Sequence, residues 1–444
     1  MQSLSKSHTL FIGLMLFSLF FGAGNLIFPP ILGQQSGEQF LIAMIGFILT
    51  GVGLPLLTII TIGLTGKDMQ QLAQHVHPKF GVVFAVAVYI LIGPSMAIPR
   101  VANVSFEMGA RSFFPEAIQS DAWVLLLYSV LFFSVVFFMC LNPSKLVVWI
   151  GNVLTPLLLL SIVGLFIAAL LNPLGSAQPP INQYATSPGF KGFMEGYLTM
   201  DTIAALAFGL IVINAIKDKG VENKRSIAKA VIMAGIIAGI GLIFVYAALG
   251  YIGVTSVESL GYAENGGQLL ILAVQELFGP SGLLLLAVIV TLACLTTCIG
   301  LVSACSQYFN KLLPKVPLPW IAFIVCVLGL LVANLGLNRI ISISVPVLLV
   351  IYPVAIVLII LSLFHKFIGE RSSVYIGALI GTVIISVFDG IKAAGVSIDV
   401  ITPVLNVLPL YKEGIGWLLP AIVGGYIGLW VGKAEPKTAL EADE

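Results

Sequence analysis

Apolar residues run along this chain in long stretches rather than in the alternation of half-buried strands or the one-sided stripes of surface helices. A helix needs about 20 apolar residues to cross a hydrocarbon core of roughly 30 Å. By that measure the pattern predicts twelve spans, at about 9–32, 39–65, 81–108, 122–141, 145–171, 190–216, 227–253, 281–311, 318–336, 340–364, 373–393 and 414–432. The longest polar connections, about 172–189 and 255–268, are too short to fold as soluble domains. The expected fold class is an all-α membrane protein with twelve transmembrane helices. It forms a single integral membrane domain over 1–444, ending in a short tail at 433–444.

Composition supports the same class. Of 444 residues 59% are hydrophobic and 9% charged, and the mean hydropathy of +1.09 leaves too little polar surface to cover a soluble globule. A net charge of +1 points to neither nucleic acid nor a polyanionic partner. The first span does not read as a cleaved signal: Lys6 suits its start, but the apolar run continues into Phe28-Pro29-Pro30 with no small-residue cleavage site. The five cysteines, Cys140, Cys294, Cys298, Cys305 and Cys326, lie in apolar spans and read as small buried hydrophobes. His8, His75, His77 and His365 fall at span ends, where a solvated reading is favoured and no metal motif forms.

Numbering the spans sorts the basic residues onto two sides. Fifteen share the N-terminal side: Lys6, Lys67, Lys79, Lys145, Lys217, Lys219, Lys224, Arg225, Lys229, Lys311, Lys315, Lys366, Arg371, Lys433 and Lys437. Six fall on the other: Arg100, Arg111, Lys191, Arg339, Lys392 and Lys412. The excess predicts both termini in the cytoplasm. It also checks the span count, since a missed helix would interleave the two groups. Arg100 and Glu107, seven apart on one face near the outer end of span 3, read as an exterior or snorkelling pair.

Two spans carry interruptions. In span 1, Leu19-Phe20-Phe21-Gly22-Ala23-Gly24-Asn25 places two glycines and an asparagine at depth, and Pro29-Pro30 reads as the end of the second half. Asn25 is placed to cap a resuming helix. In span 6, Gly196-Tyr197-Leu198-Thr199-Met200-Asp201 puts polar residues at depth. Backbone groups released in hydrocarbon cost several kcal/mol each unless something polar meets them. Spans 1 and 6 open two five-helix sets, and paired interruptions at matching positions point to an inverted-repeat carrier with a central site. An unwound Gly22–Asn25 turn would offer amides and a helix N-terminus to a carboxylate, and released carbonyls would serve a cation or an ammonium. Close helix packing is the other use of paired glycines.

These residues carry a resemblance. Span 1 with "FFGAGNLIFPP", span 3 with Gly93-Pro94-Ser95-Met96-Ala97-Ile98-Pro99-Arg100, and span 6 with "GYLTMD" resemble the bacterial branched-chain amino acid:cation symporters over essentially the whole chain. That family is grouped with the amino acid–polyamine–organocation superfamily. The resemblance implies the LeuT fold: a first repeat at 1–172, an inverted second at 189–365, and two extra C-terminal helices at 373–432. It also implies uptake of leucine, isoleucine and valine, driven by Na⁺ or H⁺, across the bacterial cytoplasmic (inner) membrane. Spacing alone gives only a carrier for a small, zwitterionic solute.

Asp201 is the one carboxylate deep in a span, a costly placement that marks a functional candidate. It could orient the unwound segment, accept from the substrate ammonium, or carry a proton. In span 8, Ala293, Thr296 and Thr297 resemble the sodium site of the LeuT fold, completed by carbonyls near Ser18 and Phe21 in span 1. Threonines that bond back to the preceding turn are the alternative. Some relatives hold a mid-membrane lysine on span 5 instead; here span 5 has only Lys145, at its start. Gly22, Ala23, Gly24, Asn25, Tyr197, Thr199 and Met200 form the expected substrate shell, with Tyr89 reaching the carboxylate and Phe20, Met96 and Phe208 lining an apolar pocket. One methylene is worth only about 1–3 kcal/mol, so shared rather than single substrates are expected. A channel would need a continuous polar lining, and an enzyme a nucleophile and base or a metal cluster; the sequence offers neither. No cofactor, nucleic acid or obligate protein partner is expected beyond the lipid bilayer and the coupling ion.

Overall fold

In hydrocarbon a backbone segment must satisfy its own N–H and C=O groups, so open-chain spans are helical. The computed structural model describes residues 5–119, 121–141, 155–369, 371–397 and 401–432, and no strand occurs among them. Its α-helices are α1 (Lys6–Phe20), α2 (Ala23–Ser36), α3 (Phe40–Ile48), α4 (Leu54–Thr65), α5 (Met69–Ala73), α6 (Pro78–Ile90), α7 (Ala97–Gly109), α8 (Ala122–Cys140), α9 (Thr155–Leu171), α10 (Pro188–Tyr197), α11 (Asp201–Lys217), α12 (Lys224–Leu260), α13 (Gly266–Leu312), α14 (Leu318–Ala333), α15 (Leu337–Leu363), α16 (His365–Ile368), α17 (Ser372–Ala393), α18 (Thr402–Leu405) and α19 (Leu418–Val431). Among the described residues, seven helical stretches are long and apolar enough to cross a membrane, or eight if α10 and α11, bent by 41°, count as one span. The shorter apolar helices α1, α9, α14 and α19 accompany them. The start of span 5, with Lys145, and the tail at 433–444 lie outside the described residues.

The chain divides into two units. The first comprises residues 1–63 and 89–342, the second 64–88 and 343–444. In the first unit each interrupted span packs on a helix distant in sequence. α1 and α2 lie along α12, and α10 lies along α3. These approaches are so close that a Cβ on Gly33 or Gly253 would strike the backbone carbonyl of Gly250 or Pro30, and one on Gly46 or Gly192 that of Gly189 or Ala43. Small residues that let backbones meet are the usual adhesive between helices in lipid. Glycine serves close packing at these four positions, which lie outside the Gly22–Gly24 pair.

Three features of the first unit differ from expectation. Pro29 and Pro30 do not end span 1: they lie inside α2, which continues to Ser36. Each removes one backbone donor, a loss that helices in membranes tolerate; Gly253 of α12 packs closely against the Pro30 carbonyl. Span 3 is interrupted as well, through a wide turn over Leu91–Ser95 in which Gly93 leaves helical geometry (φ −84°, ψ −123°) before α7 resumes. Finally, Arg100 is buried at 3% exposure, while Glu107 pairs with Arg111 at 2.5 Å. The exterior Arg100–Glu107 pair is thus corrected.

In the second unit α17 packs on α19, with Gly377 and Gly424 facing each other at backbone contact. His75 and His365 are not simply solvated: their rings lie 4.3 Å apart, and His75 also stacks on Tyr375 at 5.4 Å. Burial first, then Lys67 and His365 beside it, pushes the His75 imidazole down to about 4, so it stays neutral at physiological pH. All five cysteines are buried thiols, as expected.

Candidate functional site

α1 stops at Phe20, and the Phe21 N–H still reaches back to the Phe17 carbonyl at 2.7 Å. Gly22 is extended (φ −126°, ψ −158°), and α2 starts at Ala23. The break is therefore Phe21–Gly22, and Ala23, Gly24 and Asn25 form the first helical turn rather than an unwound segment, which corrects the Gly22–Asn25 boundary. The amides of such a turn have no intrahelical acceptor, and the positive end of the helix dipole lies with them, so they favour an anion. Asn25 works in two directions. Its Oδ1 accepts from the Gly22 N–H at 2.9 Å, capping the helix, and its Nδ2 donates to Asp201 Oδ2 at 2.7 Å.

The break in span 6 lies between α10 and α11. Met200 adopts a left-handed conformation (φ 69°), which for a non-glycine residue costs on the order of 1–3 kcal/mol and persists only where its surroundings hold it. The carbonyls released here have a partner that sequence reasoning missed. Arg100, from the first turn of α7, donates from Nη1 to the Leu198 carbonyl at 2.6 Å and from Nη2 to the Thr199 carbonyl at 3.0 Å. A cation at the carbonyl end of a helix complements its dipole.

Asp201 opens α11 at 3% exposure. Besides Asn25, the hydroxyl of Tyr246 on α12 donates to its Oδ2 at 2.8 Å, and Asn25 Nδ2 also donates to the Tyr246 hydroxyl. The three side chains close a triangle joining both interrupted spans to α12. Tyr246 is held in place by Phe47, edge to face at 5.1 Å.

On the other side of the span 1 break, the Thr297 hydroxyl donates to the Phe21 carbonyl at 3.1 Å and to the Ser18 carbonyl at 3.4 Å. Thr296 Oγ1 donates to the Ala293 carbonyl at 2.8 Å, so the back-bonding alternative describes Thr296 and not Thr297. Ser18, Phe21 and Thr297 thus bring hard oxygen atoms together, the ligand type a small cation accepts, while Ala293 and Thr296 bond to each other within α13.

A hollow lies between the two breaks, walled by Phe20, Gly22 to Asn25, Arg100, Thr199 to Asp201, Phe208 and Thr297. Its interior is about 30 Å³, room for roughly two waters, so admitting an amino acid requires its walls to part. Arg100 is the one cation and Asp201 the one anion lining it, among the described residues. Phe20 and Phe208, 6.4 Å apart, supply an apolar wall. The structure does not bring every expected residue here. Tyr89 stacks on Tyr308 at 4.1 Å, its carbonyl accepting from Cys305 Sγ at 3.4 Å. Tyr197 sits behind the break against Phe193, and Met96 is buried beside the wall without lining it. A wider groove of about 500 Å³ runs between α9 and α13, but its lining is almost wholly apolar and holds no charge for a zwitterion.

Arg100 was legible as an arginine within an apolar span, a rare placement that calls for a functional partner; its position near a span end pointed instead to snorkelling. Tyr246 carried no signal, since one tyrosine in a membrane helix has many uses.

A membrane-embedded helical bundle whose interrupted spans meet around a buried charge pair is built as a solute carrier. The chain belongs to the branched-chain amino acid transport protein family, whose model matches residues 5–435. It is 48% identical over 431 residues to the branched-chain amino acid permease BraB of Bacillus subtilis, covering 96% of each chain. It is 45% identical over 441 residues to the permease BrnQ of the same organism, covering 99% of this chain and 100% of that one. These relatives are permeases, not enzymes. Among solved structures, Mhp1, a nucleobase-cation-symport-1 family transporter, superposes with a TM-score of 0.63 at 13% identity over 97% of this chain and 94% of its own. The fold is LeuT-like.

Proposed function

We propose that this chain is a secondary active symporter that imports leucine, isoleucine and valine together with Na⁺ by alternating access. The observation that carries the proposal is the junction of the two interrupted spans, where a helix N-terminus, Arg100 and Asp201 offer both signs of charge beside the Phe20 and Phe208 wall. A zwitterion with an aliphatic side chain matches that combination, and the permease names of the relatives give the substrate class. Ser18, Phe21, Ala293, Thr296 and Thr297 would take the cation, exchanging the Thr297 hydrogen bonds for contacts to Na⁺. Asp201 would orient Asn25 and Tyr246 and face the substrate ammonium.

Twelve spans fit these lengths better than seven or eight. The 43 residues of Ala23–Thr65 would reach roughly 65 Å as one helix, about twice the bilayer core, and Gly37 (φ 47°) turns the chain within them. The packing of each interrupted span on a helix of the other expected set favours inverted repeats at 1–172 and 189–365, with 373–432 as two extra helices. With Arg100 removed from the outer group, the basic count becomes fifteen against five, and both termini in the cytoplasm of a bacterial inner membrane remain the favoured orientation.

Labelled leucine uptake into proteoliposomes tests the proposal. An inward Na⁺ gradient should drive accumulation that valine and isoleucine suppress and alanine does not, while a pH gradient alone should not drive it. Accumulation driven by pH with no response to Na⁺ would overturn the coupling, and failure of valine and isoleucine to compete would overturn the substrate. Thr297→Ala should raise the Na⁺ concentration for half-maximal uptake about tenfold or more, the scale of a lost ligand at an ion site. An unchanged Na⁺ dependence would move the cation elsewhere.

A further inference from the structure

The two ends of a zwitterion need opposite charges, and the amide groups of α2 are not alone in facing the negative end. Tyr89, the side chain expected to meet the carboxylate, stacks on Tyr308 instead and does not line the hollow. Arg100 does line it, at 3% exposure. Its bonds to the Leu198 and Thr199 carbonyls pin the guanidinium at the span 6 break, and a Cβ on Gly24 would come within 2.9 Å of Arg100 Nη2. The guanidinium therefore lies beside the first turn of α2, where the helix dipole also favours an anion. Below it the ring of Phe28 lies 5.5 Å from Cζ, a cation–π contact that further fixes its plane.

We propose that Arg100 is the carboxylate-binding residue of this carrier, and that it makes a free carboxylate compulsory in the substrate. The inference rests on the symporter reading and extends it from substrate class to the group recognised. Desolvating a carboxylate is expensive unless a fixed charge receives it, and a guanidinium offers donors in a planar fork matched to its two oxygens. The same side chain explains how Thr199 and Leu198 can release their carbonyls without loss. A clamp that only satisfied those carbonyls would support every ligand equally, whereas an anchor supports only ligands that carry the carboxylate.

Competition between leucine and leucinamide separates the two roles. Leucinamide keeps the ammonium and the isobutyl group and replaces the carboxylate by a neutral amide. In proteoliposomes of the full chain, wild-type binding of labelled leucine should be displaced by unlabelled leucine at a concentration about a hundredfold or more below that needed for leucinamide, as expected where a paired charge is lost. In Arg100→Gln the ratio should fall at least about tenfold, because leucine loses the contact to its carboxylate in addition to whatever both ligands lose with the Leu198 and Thr199 bonds. Arg100→Lys, which keeps charge and loses the fork, should fall between. Equal loss of both ligands in Arg100→Gln would make Arg100 a structural clamp and overturn the proposal. If that variant does not fold, the wild-type ratio decides by itself, and leucinamide competing as well as leucine overturns the proposal. Leucine uptake by the same wild-type vesicles reports on the symporter reading independently.

Discussion

Asp201→Asn should cut leucine uptake by reconstituted vesicles about tenfold to a hundredfold per folded protein. The substitution is nearly isosteric, but its effect on the junction is not. Asp201 Oδ2 receives hydrogen bonds from Asn25 at 2.7 Å and Tyr246 at 2.8 Å, and bonds to a charged acceptor contribute about 1.5–3 kcal/mol each. An amide keeps an acceptor only by turning its NH₂ elsewhere, and it loses the charge that faces the ammonium. It also removes the one anion that shares the hollow with Arg100 among the described residues. Uptake of labelled leucine against a Na⁺ gradient, normalised to protein in the vesicles, reads the effect. Transport within twofold of wild type would remove Asp201 from the mechanism.

Gly24→Ala should abolish most uptake too, for a different reason. Helix propensity favours alanine in the first turn of α2 by up to about 1 kcal/mol. Sterics oppose it: the new Cβ would lie 2.9 Å from the Thr199 Cα, the Thr199 carbonyl oxygen and Arg100 Nη2. Two of these atoms belong to the backbone at the other break and cannot swing aside, so the breaks must move apart and the Asn25–Asp201 bond must stretch. Gly164→Ala is the matched control, a mid-helix glycine in α9 with open space around its Cβ position, and it should transport like wild type. If Gly24→Ala transports as well as Gly164→Ala, the close approach of the two breaks is not needed for function.

The large features were written in the hydropathy pattern because the bilayer leaves so few choices: long apolar runs had to be helices, and glycines with polar residues at depth had to mark breaks. Asp201 stood out because a carboxylate in hydrocarbon demands a partner, Asn25 because it stands where a helix would resume, and Thr297 through the resemblance to the LeuT-fold sodium site. What the pattern could not give was which partner. Pro29 and Pro30 looked like a helix end, but α2 continues through them to Ser36. Arg100 looked like a surface arginine because its distance from the span end hid the re-entry of span 3 after Gly93. Tyr89 was assigned to the carboxylate by its place in the span, but it lies just before the wide turn at Leu91–Ser95 and stacks on Tyr308 instead. Such errors arise where a helix changes phase, and no local property of the residues reports the change.

A density map of the purified protein in lipid, determined with saturating leucine, would test the central claim most directly. It should place the solute between Phe21–Gly22 and Leu198–Met200, with its carboxylate against the first turn of α2 and its ammonium toward Asp201. Continuous helices through residues 6–36 and 188–217, or leucine bound outside that junction, would contradict it.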